Sequence, residues 1–221
     1  MDGNGRWARL QGKERIFGHT HGVESVRSVT EAAAKAGVKY LSLFAFSEEN
    51  WNRPESEIDC LMDLMFKSMA EELKTLMANG VRFVVLGNRE RLSRSLDNEI
   101  LSIEKETADN KGLTLIVFLS YSGKWDILQA AKKMALQLSA EEIENVSAED
   151  FSKYLVTYGI TDPDLIIRTS GEERISNYLL WQSAYSEFYF TEVLWPDFRA
   201  EEFAKALEEY ASRDRRYGKV K

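Results

Sequence analysis

One acidic side chain, Asp2, lies in an N-terminal stretch otherwise made of glycine, asparagine, arginine and tryptophan, DGNGRW. Glycines let backbone N–H groups converge on an anion, and Arg6, Arg15 and His19 add side-chain donors that suit phosphate oxygens. A carboxylate fits such a cradle when a divalent cation joins it to the phosphates, because Mg²⁺ binds one or two carboxylates together with substrate oxygens. The alternative interpretation is a tight turn without a ligand.

A second polar stretch, SEENWNRPESE, covers residues 47–57 and directly follows a predicted buried strand. Ser47, Asn50 and Arg53 offer polar contacts, and Trp51 offers an apolar lid. A tryptophan in so polar a loop favours a binding role, since binding residues concentrate on loops. The alternative is a solvated loop with one stray tryptophan.

A third stretch, RTSGEERISN, begins at the end of another predicted strand. Arg168, Arg174 and Ser176 could form a second anion site. Glu187 follows within an apolar segment, where a carboxylate is costly unless it pairs with an arginine or binds a metal. Two anion sites and two carboxylates indicate two phosphorylated substrates and a divalent cation.

Strand and helix signals alternate along the chain, which predicts an α/β fold with a central, mainly parallel sheet flanked by helices. The predicted strands are 40–46, 82–86, 113–119, 165–168 and 188–190, and the predicted helices are 23–36, 57–79, 92–110, 125–138 and 200–213. The sequence of residues 139–150 predicts a solvated connection that contains short helical pieces. Ligands bind beyond the carboxyl ends of parallel strands, and the three polar stretches fall there. We expect a further strand to precede residue 1.

The composition narrows the class of protein. The chain has 221 residues, which we interpret as a single domain over 1–221, and its net charge of −7 argues against general nucleic-acid binding. Cys60 is the only cysteine, so an internal disulfide is excluded and a reducing compartment is favoured. No apolar run has the length of a membrane span. We therefore predict a cytoplasmic protein whose membrane contact is peripheral.

The helix predicted over 57–79 has an apolar face that includes four methionines, Met62, Met65, Met69 and Met77. Methionine side chains form soft, adaptable surfaces. Core packing alone would explain such a face. A substrate with a long apolar tail would give it a second use.

Several long motifs occur together and in order: DGNGRWA, RIFGHTHG, FAFSEENWNRP and RTSGEERISNYLLWQSAYSEFYF, followed by WPDF. In these motifs the chain resembles the cis-prenyltransferases, the bacterial undecaprenyl diphosphate synthases in particular, from residue 2 to about residue 217. The resemblance implies a Mg²⁺-dependent homodimer that elongates farnesyl diphosphate with successive isopentenyl diphosphates, with undecaprenyl diphosphate as the expected product. It also implies a hydrophobic tunnel between sheet and helices that holds the growing chain.

The resemblance also implies roles for individual residues. Asp2 and Asn50 are the predicted catalytic residues, and Asp2 and Glu187 the predicted metal ligands, with Glu187 acting from the partner subunit. The predicted substrate-binding residues are Gly3, Asn4, Gly5, Arg6, Arg15 and His19 for the allylic diphosphate, Arg168, Arg174 and Ser176 for isopentenyl diphosphate, and in addition Trp7, Ser47, Trp51 and Arg53. The final proton acceptor is left open among the diphosphate, Asn50 and His19.

The chain departs from the family pattern at three places. Ser120 stands where the family often has asparagine, and Asn88 where many relatives have an acid. Residues 117–119 (VFL) are bulkier than usual, which would shorten the product if they face the tunnel.

Three rival functions were weighed. A catalytically silent partner subunit need not keep Asp2, Arg168 and Arg174, and this chain keeps all three. Another phosphate enzyme, such as a nucleotide hydrolase, is disfavoured because no GxxxxGK loop is present. Trans-prenyl synthases use DDxxD pairs, and this chain has no adjacent aspartates. The basic C-terminal residues 213–221 could reach a diphosphate, an anionic lipid or only solvent.

Overall fold

The structure is a computed structural model that describes residues 1–214. The basic tail singled out above falls mostly on residues 215–221, outside the described part. The strands are β1 (Tyr40–Ser47), β2 (Arg82–Leu86), β3 (Thr114–Tyr121), β4 (Leu165–Arg168) and β5 (Glu187–Phe190). The α-helices are α1 (Asn4–Leu10), α2 (Arg15–Lys35), α3 (Glu55–Ala78), α4 (Arg94–Glu106), α5 (Gly123–Gln137), α6 (Ala140–Glu144), α7 (Ala148–Ser152) and α8 (Ala200–Ala211).

The predicted α/β class is confirmed, with parallel strands flanked by helices. All the strand pairs are parallel: β3 lies between β1 and β2, and β4 pairs with β5. One central sheet was predicted, whereas the described strands pair as a three-stranded and a two-stranded sheet. Every residue of β1 and β4 lines one cavity, and these two strands do not pair with each other.

The core has two parts on opposite faces of β3, because side chains alternate along a strand. Leu115 and Leu119 are buried with residues of α2, α3 and α4. Ile116 and Phe118 are buried on the other face, against Tyr121 and Tyr178. The bulky 117–119 stretch is therefore divided: Val117 and Leu119 pack with the first part of the core, and Phe118 packs with the second.

Helix boundaries follow capping residues. Ser93 begins α4 by accepting a hydrogen bond from Leu96 N–H, and Ser139 and Ser147 form capping boxes that begin α6 and α7. The short helical pieces predicted in 139–150 are thereby confirmed. The start of α2 was predicted eight residues too late, since the helix begins at Arg15 and includes His19.

No helix within residues 1–214 combines the length and apolar character that crossing a bilayer requires.

Candidate active site

The first motif forms a turn that places Asp2 beside the end of β4. Gly3 adopts a φ of 107°, a region that favours glycine, and α1 begins at the next residue. The Asp2 carboxylate accepts a 2.8 Å hydrogen bond from Gly3 N–H and a 3.1 Å hydrogen bond from Arg168 Nη2. Thr169 donates its hydroxyl to the Asp2 carbonyl oxygen at 2.7 Å. Residues 166 positions apart in the sequence are thus fixed against each other.

These contacts also set the charge of Asp2. Partial burial acts to raise the pKa of the carboxyl group, but the hydrogen bonds from Gly3 and Arg168 outweigh it, so the pKa lies below its usual value. The carboxylate is therefore ionised at neutral pH. Its side chain is 42% exposed, so it can still contact a ligand.

α1 packs closely on the N-terminal half of α2. A Cβ atom at Gly18 would lie 2.0 Å from the Asn4 carbonyl oxygen, so only glycine allows this approach. Asn4 of α1 and His19 of α2 both line the cavity wall. Asn4 Oδ1 and His19 Nε2 are both buried without a hydrogen-bond partner within the described residues.

A basic wall lines the same side of the cavity. Arg15 of α2 and Arg53, just before α3, both contact Glu57 Oε1, at 3.3 Å and 3.1 Å. Burial, together with the charges of Arg15 and Arg53, lowers the pKa of His19 to about 4. His19 is therefore neutral at physiological pH, between two cations that share a single carboxylate. An anion placed here would restore the charge balance.

The third stretch converges on Arg168 at the end of β4. Arg168 Nη1 donates to Ser176 Oγ at 2.7 Å and to the Arg174 carbonyl oxygen, while Nη2 reaches Asp2. Ser176 and several neighbours have positive φ: Ser170, Gly171, Ser176, Asn177 and Leu179. So many left-handed residues are costly and are typical of a functional loop held by its surroundings.

The second stretch folds as a 3₁₀ turn over Glu48–Asn52. Ser47 N–H donates to Asn50 Oδ1 at 3.1 Å, which holds the Asn50 side chain against the turn. Asn177 of the third stretch donates to Glu49 Oε1 at 2.6 Å, so the two stretches are joined. The three polar stretches of the sequence therefore meet at one place.

They meet at the mouth of a cavity of about 1260 Å³. Twelve of the predicted site residues line it: Asp2, Gly3, Asn4, Gly5, Arg15, His19, Ser47, Asn50, Arg53, Arg168, Arg174 and Ser176. The rest of its wall is largely apolar and includes Val26, Leu61, Met65, Met69 and Val117. A charged mouth and an apolar body suit a ligand with a charged head and a hydrocarbon tail.

Three predicted substrate contacts do not line the cavity, although Arg6 Nη2 lies 4.0 Å from Asp2 Oδ2. Arg6 faces Ser170 and Glu172, Trp7 donates to Asp197 and stacks on Phe17, and Trp51 packs on Phe46. Their binding roles, like those of the lining residues, stay predictions.

Glu187 stands at the far end of β5. It pairs in register with Leu165, three residues before Arg168, which corresponds to about 10 Å along the strand. Its carboxylate accepts a 2.9 Å hydrogen bond from Arg213. The arginine pair that the sequence left as an alternative is therefore formed, and a metal role for Glu187 stays a prediction.

A magnesium ion fits the residues around Asp2. Within residues 1–214 no group of three or more His, Cys, Asp or Glu side chains is arranged to hold a metal. Asp2 is an ionised, accessible carboxylate that lines the cavity. Mg²⁺ commonly binds through one carboxylate, with substrate phosphates and waters completing its shell.

Sequence reasoning missed Glu57 and Thr169. Glu57 holds Arg15 and Arg53 together, and Thr169 anchors the backbone of Asp2. The position of Glu57 four residues after Arg53, at ion-pair spacing on a helix, was a usable signal. Nothing in the sequence pointed to Thr169.

Comparison with known proteins decides the family. The family model described as "Putative undecaprenyl diphosphate synthase" matches residues 1–218. The chain belongs to this family. The resemblance of its motifs to the cis-prenyltransferases is thereby confirmed, and its relatives are transferases.

Relatives are similar over nearly the whole chain. An isoprenyl transferase of Porphyromonas gingivalis is 47% identical over 222 residues, covering 100% of this chain and 87% of the relative. The farnesyl-diphosphate-specific ditrans,polycis-undecaprenyl-diphosphate synthase of Pasteurella multocida is 48% identical, covering 99% and 92%. The crystal structure of lavandulyl diphosphate synthase from Lavandula x intermedia with dimethylallyl diphosphate superposes with a TM-score of 0.94 at 33% identity, covering 99% and 95%.

Proposed function

We propose that this cis-prenyltransferase condenses farnesyl diphosphate with successive isopentenyl diphosphates to give a long-chain polyprenyl diphosphate, undecaprenyl diphosphate in particular. The observation that carries the proposal is the pair of anion-binding groups, one on α2 and one on the third stretch, joined by the Asp2–Arg168 contact at the mouth of an apolar cavity. Two diphosphates would thus lie side by side with a hydrocarbon path between them.

Each group suits one diphosphate. The allylic diphosphate would lie against Arg15, His19 and Arg53, where neutral His19 and the unpartnered Asn4 side chain leave polar atoms free. Isopentenyl diphosphate would lie against Arg168, Arg174 and Ser176, which are already held together by Arg168. Arginine is favoured at both places because its planar group donates two parallel hydrogen bonds to phosphate oxygens.

The chemistry breaks the C1–O bond of the allylic substrate and forms a bond between that C1 and C4 of isopentenyl diphosphate. Diphosphate departs as the C1–O bond breaks, the C3–C4 π electrons of isopentenyl diphosphate form the new bond, and loss of a C2 proton leaves a C2–C3 double bond. Negative charge develops on the leaving oxygens, so the arginines on α2 and before α3 stabilise the transition state by preorganised charge. Mg²⁺ bound at Asp2 would supply further Lewis-acid stabilisation of that charge. His19, being neutral, is chemically able to accept the proton.

The apolar body of the cavity would serve as the tunnel for the growing tail. Each added isoprene unit carries five carbons, and its burial contributes on the order of 3–4 kcal/mol. Val117 and Phe118 line this space and so narrow it, whereas Leu119 does not line it.

We also propose that the protein acts in the cytoplasm as a homodimer that contacts the membrane only peripherally when product leaves. Apolar rings beside β5 support a contact surface there: Phe190 is 39% exposed and Tyr185 is 70% exposed.

The proposal is tested by incubating the protein with farnesyl diphosphate, labelled isopentenyl diphosphate and Mg²⁺, followed by chain-length analysis of the product. Asp2→Ala should lower kcat at least about a hundredfold, because transition-state charge stabilisation of this kind is worth roughly 2.7–4 kcal/mol. Asp59→Ala, on the exposed side of α3, is the matched control and should match the wild type.

Two results would contradict the proposal. Unchanged turnover in Asp2→Ala would refute the role of Asp2. A wild-type protein that makes no polyprenyl product, but activates an added partner chain, would favour the silent-subunit alternative.

A further inference from the structure

Ser120 occupies an unusual position at the carboxyl end of β3. It is fully buried, and its φ of 51° lies in the left-handed region that a serine rarely adopts. The backbone is held there by a neighbouring loop, since Asn88 N–H donates to the Ser120 carbonyl oxygen at 2.9 Å. A strained, buried polar residue beside an active site is typical of a functional constraint.

The Ser120 hydroxyl connects two side chains of the second stretch. It accepts a 2.9 Å hydrogen bond from Trp51 Nε1 and donates a 2.6 Å hydrogen bond to Glu48 Oε1. Arg91 completes the group: its Nη1 donates to Glu48 Oε2 at 2.7 Å, and its guanidinium lies 4.7 Å from the centre of the Trp51 ring. The four side chains form a closed network.

We propose that Ser120 is a positioning residue that holds the 3₁₀ turn over Glu48–Asn52 in its productive place at the cavity mouth. The turn carries Asn50, which lines the cavity, while Glu48 and Trp51 on either side of it are both fixed by the one hydroxyl. Because both contacts end on a rigid strand, the turn cannot shift without breaking them. The proposal rests on the proposed function, in which Asn50 acts at the reacting centre.

Asparagine is the substitution that we expect to preserve this network. An asparagine side chain has both an acceptor and a donor, and it adopts positive φ more readily than serine. It could therefore accept from Trp51 and donate to Glu48 without the backbone strain. Alanine keeps the strain but lacks the hydroxyl, and glycine lacks both.

Three variants distinguish the effect of the hydroxyl group from the effect of the backbone strain: S120A, S120G and S120N. We expect kcat for isopentenyl diphosphate addition to fall about tenfold in both S120A and S120G, with KM within about twofold of the wild type. A misplaced catalytic turn would lose transition-state stabilisation equal to the free energy of roughly one hydrogen bond, which corresponds to such a fall. S120N should recover most of the wild-type kcat. S25A is the matched control: Ser25 is also fully buried and donates its hydroxyl to Pro196 O, away from the cavity, so its loss should lower the melting temperature without changing kcat.

A second readout does not depend on activity. The fluorescence of Trp51, obtained as the difference between the wild type and W51F, should change in S120A and S120G and be restored in S120N. Wild-type kcat in S120G, or fluorescence unchanged by all three substitutions, would overturn the proposal. A wild-type protein without polyprenyl product, in which the fluorescence still responds to S120A, would refute the proposed function and leave the network standing.

Discussion

His19 is a half-buried imidazole whose pKa is lowered by burial and by two neighbouring arginines. Its pKa of about 4 reflects burial first and the charges of Arg15 and Arg53 next. A diphosphate bound between these arginines would neutralise them and add negative charge, and both effects favour the protonated imidazole. Ligand binding and proton uptake by His19 are therefore coupled.

We predict that inorganic diphosphate raises the pKa of His19 to its ordinary value of about 6.5 or above. At pH 5.5 the free protein has His19 almost wholly neutral, so binding should take up about 0.9 proton at this site. The measurement is titration calorimetry in two buffers of different ionisation enthalpy. His19→Gln supplies the control, because protons exchanged by the diphosphate itself are common to both proteins. Equal proton uptake in the two proteins would contradict the prediction.

The sequence predicted which side chains belong to the site better than it predicted the direction in which each side chain points. Residues that motif and charge chemistry singled out do converge, with Asp2 and Arg168 in contact although they are 166 positions apart. Trp51 was predicted as a lid but packs inward, because its indole N–H finds an acceptor in Ser120. That acceptor comes from a distant strand, and no local pattern in residues 47–57 indicates it.

Helices α2 and α3 lie side by side and are bridged twice by ion pairs. Arg15 meets Glu57 near the charged mouth, and Arg27 meets Glu72 further along both helices. These contacts, 12 residues apart on α2, indicate that the helices run in the same direction for about 18 Å. Between the bridges both helices present side chains to the cavity, Val26 and Met65 among them.

We predict that Ser68→Phe shortens the product by roughly one isoprene unit. Ser68 is a small, half-buried residue of α3 that lines the cavity, and a phenyl ring there would occupy space that the tail needs, because protein interiors leave little room for rearrangement. Product length is measured by chromatography of the labelled polyprenyl alcohols.

Lys67→Phe is the matched control for this substitution. It adds the same ring one residue earlier on an exposed position of α3 and should leave the product length unchanged. An equal shift in both variants, or none in Ser68→Phe, would show that the tail does not lie against α3.

Element boundaries were predicted where apolar periodicity was clear and missed where it was interrupted. The bounds of β2 and β4 were predicted without error because each is a short apolar run. The first two turns of α2 were missed, since Gly18 and Gly22 lower local helix propensity. The close approach of α1 explains these two glycines, and it is a tertiary contact that helix propensity does not describe.

The two sheets of the molecule are linked by a buried carboxylate outside the cavity. Asp126, on α5, is 1% exposed and accepts hydrogen bonds from four groups: Tyr121 OH, Gln129 Nε2, Val156 N and Gln182 Nε2. Tyr121 ends β3 of the larger sheet, and Gln182 lies between the third stretch and β5 of the smaller one. Burial first and Asp126 next raise the pKa of Tyr121, so its hydroxyl remains a donor.

We predict that Asp126→Ala lowers the free energy of unfolding by about 3 kcal/mol, because it leaves several buried donors without the acceptor that they share. Chemical denaturation followed by circular dichroism measures the change. Asp63→Ala, on an exposed position of α3, should stay within about 0.5 kcal/mol of the wild type. If Asp126→Ala were as stable as Asp63→Ala, the donors would have found other partners. The carboxylate would then not be what links the two sheets.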